Sequence, residues 1–282
     1  MTSKHIGLLH PGEMGASIGA AARAAGNRVS WASTGRSDES RRRAAEAGIE
    51  DAHTLAALAA RSDVLISVCP PEAAKSVAEG IAGTGFTGIF VDANAVSSTT
   101  ARDLASMVED LGAHFVDGGI IGPPARRKGT TRLYLSGTEA SRVASAFQGS
   151  PLAAVVIGPH PGAASALKMS YAAWTKGSAA LLTAIRALAH AEGVEAALLE
   201  EWALSKPGLE ARSAAGARDN AFKAWRFAGE MREIAATFEG SGLPGGFHWA
   251  AADIYQRLTA YKDCDPAPDL PEIIDTILGT RA

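Results

Sequence analysis

Up to about Gly158 the chain alternates short apolar runs with segments of helical spacing, and beyond Pro161 only helical spacing remains. This change of pattern constrains the fold more than any other feature. Strand-length runs are "HIGLLH" (5–10), "RVSWAS" (28–33), "DVLISVCPP" (63–71), "GIFVDANAVSS" (88–98), "AHFVDGGIIGPP" (113–124), "TRLYLSG" and "AAVVIG". Between the first of these lie the helical stretch "EMGASIGAAARAAG" (13–26) and a polar turn and helix, "TGRSDESRRRAAEAG". Buried strands separated by helices build a parallel sheet with crossover helices. After "GPHPG" the spacing predicts one helix over 162–192, roughly 45 Å long at 1.5 Å per residue, then helices at 194–205, 218–239, 247–261 and 270–278. The expected architecture is an α/β domain with a doubly wound sheet over residues 1–160 and an all-α domain over 161–282.

Composition narrows the partners. With 47% hydrophobic and 20% charged residues and a formal charge of -3 over 282 residues, the chain lacks the basic surplus of a nucleic-acid platform. Its two cysteines, Cys69 and Cys264, are far apart, and no ligand cluster points to a metal. There is no signal-peptide pattern and no run of 18 apolar residues. The expectation is a cytoplasmic, soluble protein with a small-molecule substrate and no nucleic-acid or membrane partner.

The opening stretch reads as a modified dinucleotide loop. A dinucleotide fingerprint needs small residues for a tight turn, for close approach of the pyrophosphate, and for packing of the helix on the strand. In His10-Pro11-Gly12-Glu13-Met14-Gly15, the second and third glycines are present as Gly12 and Gly15. His10 replaces the first, and Pro11 can stiffen the turn. The same letters also fit a plain strand–turn–helix corner. About twenty residues on, where an Asp or Glu would accept from a ribose 2′-OH, the chain has no acid until Asp38. Ser33, Thr34, Arg36 and Ser37 stand there instead, and the Arg36 fork suits a 2′-phosphate. Arg41–Arg43 fit a solvated helix face. The expected cofactor is NADP, with NAD the alternative.

Four stretches together are similar to one family. "IGLLHPGEMG", "VDANAVSS" (91–98), "FVDGGIIGPPARRKGTTRLYLSG" (115–137) and "GAASALKMSYAAWTKG" (162–177) resemble the motifs of the 6-phosphogluconate dehydrogenase-like and β-hydroxyacid dehydrogenase superfamily. More narrowly, the chain looks like a branch with a short, largely uncharacterised C-terminal helical domain. The resemblance implies a Rossmann-type nucleotide domain and a homodimer formed through the helical domain. It also implies hydride transfer between nicotinamide and a 3-hydroxy acid or related carbonyl compound.

The resemblance makes Lys168 the catalytic candidate. Flanked by Ala, Leu and Met, an amine here loses hydration and can exchange a proton near neutrality; the bland reading is a stem on the core with its ammonium in water. Cofactor contacts are expected from His10, Pro11, Gly12, Glu13, Met14, Gly15, Ser33, Thr34, Arg36, Ser37, Cys69, Pro70, Pro71 and Asn94. Substrate contacts are expected from Asn94, Ser97, Ile121, Gly122, Tyr171 and Thr175, although Asn94 and Ser97 also suit turn and capping roles. Lys176 and His248 are further pocket candidates, and Trp174 reads as core.

Three departures keep alternatives open. His10 replaces a glycine, Ala172 stands where the family has an asparagine four residues after its lysine, and Ile121 lies in a loop that usually offers a serine. A greasier pocket leaves imine reduction on the same fold as one alternative. Accumulated departures leave a catalytically idle NADPH-binding protein as another.

Overall fold

The structure is a computed structural model describing residues 3–262, 264 and 266–280. Chain contacts divide it into two compact units, Met1–Met169 and Ser170–Ala282. The division falls nine residues beyond the end of the first domain expected from sequence.

The first unit is an α/β sandwich. Its strands are β1 (His5–Leu8), β2 (Arg28–Trp31), β3 (Glu50–Asp51), β4 (Val64–Ser67), β5 (Ile89–Asp92), β6 (His114–Ile121), β7 (Thr131–Ser136) and β8 (Leu152–Gly158). Its helices are α1 (Glu13–Ala24), α2 (Asp38–Glu46), α3 (Leu55–Arg61), α4 (Ala74–Glu79), α5 (Ser98–Asp110) and α6 (Ala140–Ser145). The strands form one sheet in the order β3-β2-β1-β4-β5-β6-β7-β8, parallel throughout except between β6 and β7. The order reverses at β1, which has β2 on one side and β4 on the other. Such a switch point opens a crevice beyond the carboxyl ends of the strands, where ligands of open α/β sheets bind.

The apolar runs of β1 and β4–β6 are continuous because both faces of the sheet are covered there. Ile6, Leu8, Val64, Ile66, Ile89, Val91 and Val116 pack on one face with α1, α2 and α6 residues such as Ile18, Ala44 and Val143. Their neighbours Leu65, Phe90 and Phe115 pack on the other with Leu58 of α3, Ala78 of α4 and Leu104 of α5. Each fully buried Leu, Ile or Phe contributes about 1.5–3 kcal/mol.

The second half is helical among the described residues. The segment read as one helix over 162–192 consists of α7 (Ala163–Ala172), a π-turn over Ala173–Gly177, and α8 (Ser178–Ala191). There follow α9 (Glu195–Ser205), α10 (Leu209–Ala221), α11 (Ala224–Gly240), α12 (Gly246–Arg257) and α13 (Leu270–Leu278). The helix expected over 218–239 is therefore two, α10 beginning at Leu209 and α11 ending at Gly240. Gly208, at φ +83°, is the turn from which α10 starts.

Within the second unit, Ala187, Ala217, Ala221, Phe227, Met231 and Ile234 are buried. Arg186, 5% exposed, meets Glu195 at 2.6 Å and donates to Ser213 at 3.1 Å. Trp174, expected in the core, is 64% exposed and lies under the Arg212 guanidinium, 5.5 Å away. The π-turn adds a residue to the helical period there, so spacing counted at 100° per residue misplaces the ring.

Candidate active site

The turn from β1 into α1 is shaped by two glycines in different ways. A Cβ on Gly15 would lie 2.1 Å from the His10 carbonyl oxygen, so only glycine lets α1 pack on the loop. A Cβ on Gly12 would meet no atom of the chain within 4 Å. The bareness of Gly12 therefore does not serve the chain's own packing; it leaves the backbone open to close approach from outside. α2, α3 and α5 are capped by the side chains of Ser37, Thr54 and Ser97. α1 has no side-chain cap, and its first helical bond runs from Ala16 N–H to Gly12. The amides of Glu13, Met14 and Gly15 thus face the end of the switch-point crevice with the positive end of a helix behind them, an arrangement that fits a pyrophosphate.

Beside this turn lies a cleft of about 330 Å³ lined by His10, Ala32, Arg36, Leu55, Ser76 and Val77, among others. Its apolar walls and few polar groups suit a nucleoside. A larger groove of about 680 Å³ runs between α1 and α2, but Arg42 and Arg43 on its wall already face Glu46 and Glu39. The smaller cleft lies at the strand ends, where the chemistry of this fold class is found.

The β2–α2 turn is fixed at several points. Thr34 donates its amide and its hydroxyl to the His53 carbonyl, at 2.9 and 2.7 Å. His53 adopts φ +63°, a conformation side chains disfavour, which its amide bond to Asp51 at 2.7 Å helps to hold. Burial would raise the Asp51 carboxyl, but hydrogen bonds from the Ser33 hydroxyl and the His53 amide, with the charges of His53 and Arg41, hold it below the usual range. Ser37 caps α2 through Ser40 N–H at 3.3 Å. Of the four residues expected to meet a 2′-phosphate, Ser33, Thr34 and Ser37 thus spend hydrogen-bonding capacity on the turn. Arg36 stands between pinned neighbours, half-buried at the cleft.

The ends of β4 and β5 are tied by Asn94, which is 3% exposed. Its amide nitrogen donates to Ser67 and Asp92, and its oxygen accepts the Cys69 amide. Both amide hydrogens are therefore taken, and the side chain braces the loop that carries Cys69, Pro70 and Pro71. Burial pushes the Cys69 thiol up to about 11, so it is no nucleophile. Ser97 is buried and caps α5 through Thr100 N–H at 3.0 Å.

Lys168 owes its position to β6. Asp117, fully buried in that strand, accepts from the amides of Gly162 and Ser165 and from the hydroxyls of Ser165 and Ser136. Ser136 on β7 in turn accepts the Ala164 amide at 3.1 Å. The sheet thereby caps the first turn of α7. Two residues along β6, a Cβ on Gly119 would fall 2.6 Å from the Ala164 oxygen and 3.1 Å from Lys168 Cβ. Lys168, half-buried, thus roots directly over β6, beyond Asp117, which pairs with the last residue of β5. That is the same edge of the sheet as the free amides of α1.

The remaining sequence candidates fall out as follows. Ile121 is buried at the end of β6 and pairs with Arg132 of β7. Gly122, at φ +122°, has room for no side chain beside the Thr130 carbonyl. The loop beyond is tied back to α1 by the Ala125 amide, which donates to Ser17 Oγ at 3.0 Å. Tyr171 is 48% exposed, and exposed Thr175 donates to its carbonyl at 3.3 Å. Lys176, half-buried, pairs with Glu230 and lies 4.6 Å from the Phe227 ring centroid. His248 is 5% exposed, its ring tilted against that of Phe238, with its titration lowered by burial. Asp117, Gly119, Ser136, Ser165 and Ser17 were not anticipated; an acid inside the apolar run "FVDGGII" is the one signal that marks Asp117 from sequence.

Sheet order, uncapped α1 and the crevice at β1 define a dinucleotide-binding domain. Residues 5–148 match the family described as the NAD binding domain of 6-phosphogluconate dehydrogenase, and the chain belongs to that family. Residues 189–258 match a domain of unknown function, DUF1932. A solved conserved protein of unknown function, described as structurally similar to 3-hydroxyacid dehydrogenases, is 26% identical, with a TM-score of 0.67 over 91% of this chain and 97% of that one. A Mycobacterium tuberculosis 3-hydroxyisobutyrate dehydrogenase shares the fold at 20% identity and a TM-score of 0.71, over 100% of both chains. A reductive aminase from Aspergillus terreus, solved with NADPH and ethyl levulinate, shares it at 18% identity and a TM-score of 0.57, over 99% of this chain and 100% of that one. An uncharacterised 28.5 kDa protein of Methanothermus fervidus is 33% identical over 59% of this chain, and the match spans 63% of that relative's length. Among the described residues no helix is long and apolar enough to cross a membrane, and no cluster of metal-ligating side chains occurs.

Proposed function

We propose that the protein is an NADP-dependent oxidoreductase acting on a 3-hydroxy acid or a related carbonyl compound, with Lys168 as the proton-transferring group. The observation that carries this reading is the capping of α7 by Asp117, which roots Lys168 over β6 at the edge where α1 offers its free amides. The nicotinamide, when bound, supplies or accepts the hydride. The chain does the rest. Gly12 and the amides of Glu13, Met14 and Gly15 hold the pyrophosphate, with Pro11 stiffening the turn. Arg36 holds the 2′-phosphate, and the loop at Cys69, Pro70 and Pro71, braced by Asn94, walls the nucleotide. Lys168 takes the proton from a substrate hydroxyl or returns one to the nascent alkoxide. The Asp117 clamp fixes where that amine starts from.

Substrate contacts fall to residues near the end of β6, where buried Ile121 supplies an apolar wall in place of a hydroxyl. That wall favours imine reduction as the second reading, since an imine needs no polar grip on a carboxylate. Tyr171 and Thr175 on the following turns are exposed and complete the candidate set, and assembly is proposed as a homodimer in a cytoplasmic setting.

The test is turnover of nicotinamide absorbance with NADPH and NADH across a panel of hydroxy acids, aldehydes, ketones and imines. The proposal expects NADPH-dependent conversion of at least one hydroxy acid or carbonyl compound. Conversion of imines alone selects the second reading, and no conversion of any member with either cofactor contradicts both.

A further inference from the structure

His10 occupies the position of the fingerprint's first glycine, and its side chain is not idle packing. Its Nδ1 is buried and makes no hydrogen bond among the described residues. A buried polar atom left in that state is unfavourable until a partner is supplied. The imidazole lines the 330 Å³ cleft together with Arg36, Thr34, Thr54 and Ser76. Its backbone is locked in place, because the His10 carbonyl abuts Gly15 so closely that no Cβ would fit between them. The cleft therefore holds an imidazole with an unspent nitrogen next to a guanidinium, and no anion of the chain lines it.

We propose that His10 is a specificity-determining residue of this cleft: together with Arg36 it holds a phosphate on the adenosine ribose, and it takes up a proton as that phosphate binds. This rests on the reading of the cleft as the site of a 2′-phosphorylated cofactor. Burial and the Arg36 charge hold the free imidazole down to about 4, so before binding it is neutral. A phosphate carries roughly -1.5 to -2 near neutral pH. Set beside both groups, it turns a net positive surrounding into a negative one and favours the imidazolium, whose N–H then donates to it. The other groups around His10 do not compete. The β2–α2 turn contributes Arg36, α3 and α4 contribute Thr54, Leu55, Ser76, Val77 and Gly80, and the Cys69 thiol, which also feels Arg36, is neutral. Glu13 at the start of α1 is exposed and 3.9 Å from Arg126.

The experiment is calorimetric titration of the full chain with adenosine 2′,5′-bisphosphate and with 5′-AMP, in two buffers of different protonation enthalpy, for wild type and His10→Asn. Asparagine carries a polar atom near the Nδ1 position but does not titrate. The phosphate's own protonation is common to both proteins, so their difference reports the imidazole. Wild type is expected to take up more protons than His10→Asn on binding the bisphosphate, and the same number on binding 5′-AMP. Its bisphosphate affinity should fall more steeply as pH rises, by up to about tenfold per pH unit for one proton. Should His10→Asn not fold, the ring carbon shift of His10 in wild type, followed by NMR with each probe, reads the same proton. Equal uptake by both proteins, or a ring shift that the bisphosphate leaves unchanged, overturns the proposal while the preference for a 2′-phosphate stands. If wild type binds the bisphosphate no more tightly than 5′-AMP, the proposal and the NADP reading fall together.

Discussion

Asp117 on β6 accepts the Ser165 hydroxyl at 2.6 Å and the Ser165 amide at 3.0 Å, so a buried carboxylate of the sheet caps the helix that bears Lys168. Ser165 and Lys168 are one helical turn apart, and the strand residue two beyond Asp117 is the bare Gly119 against which Lys168 packs. Two points on one strand thus fix the part of α7 that carries Lys168.

Asp117→Asn should lower stability by about 2–4 kcal/mol, because it turns one acceptor oxygen into a donor facing N–H and O–H groups and removes the charge at a helix N-terminus. Urea unfolding checks it: the midpoint should drop with little change in slope. A loss below about 0.5 kcal/mol would mean that the clamp contributes no more than an ordinary surface position.

Gly119→Ala should shift α7 away from β6, since its Cβ would stand 2.6 Å from the Ala164 oxygen. The expected cost is about 1–3 kcal/mol, as for an overpacked core. In the proposed reaction, turnover should fall while NADPH affinity, set by the other end of the crevice, stays within about twofold. Undiminished turnover in a destabilised variant would separate the packing from the chemistry.

Arg36→Ala should weaken NADPH binding by about ten- to a hundredfold, equivalent to roughly 1.5–3 kcal/mol for a charge-assisted hydrogen-bonding group. NADH affinity should be unchanged, because the neighbouring Thr34 and Ser37 keep their bonds to His53 and Ser40. Fluorescence titration with both cofactors reads the ratio, and equal losses for the two would show that Arg36 shapes the turn instead of binding phosphate.

His10 makes stability depend on pH. Its folded value, about 4, lies below the unfolded value of 6.5, so the unfolded chain binds the extra proton between them. The contribution is complete above about 6.5 and is lost as pH falls through about 4. Buried His248, also lowered, acts in the same direction. Denaturation midpoints measured across this window should decline on acidification, and His10→Asn should flatten the decline. An unaltered profile in the variant would assign it wholly to other groups.

The strands β1, β2 and β4–β7 and the change to helix after Pro161 were readable because apolar patterning follows directly from burial; β8 was readable from its apolar run although Val155, Val156 and Ile157 are exposed. β3 was not, since Glu50 and Asp51 are exposed and offer no apolar run. Nor was the π-turn at Ala173–Gly177, which leaves no compositional mark and moves Trp174 outward. Among the proposed site residues, Gly12, Gly15 and Arg36 were nominated by residue type and spacing, and Lys168 by the family resemblance. What Asn94, Ser97 and Thr34 do with their hydrogen bonds could not, because partners such as Ser67, Cys69 and His53 are set by the fold. Asp117 shows the same limit: its oddness in an apolar strand is visible, but its partner Ser165 lies 48 residues away.

The most direct measurement is turnover of the best panel substrate by Lys168→Ala, with NADPH affinity determined on the same preparation. With Lys168 as the proton-transferring group, kcat should fall about a hundred- to ten-thousandfold, the usual worth of a positioned acid–base group, and the NADPH Kd should stay within about threefold of wild type, under 1 kcal/mol. Wild-type turnover in the variant, with folding intact, would contradict it.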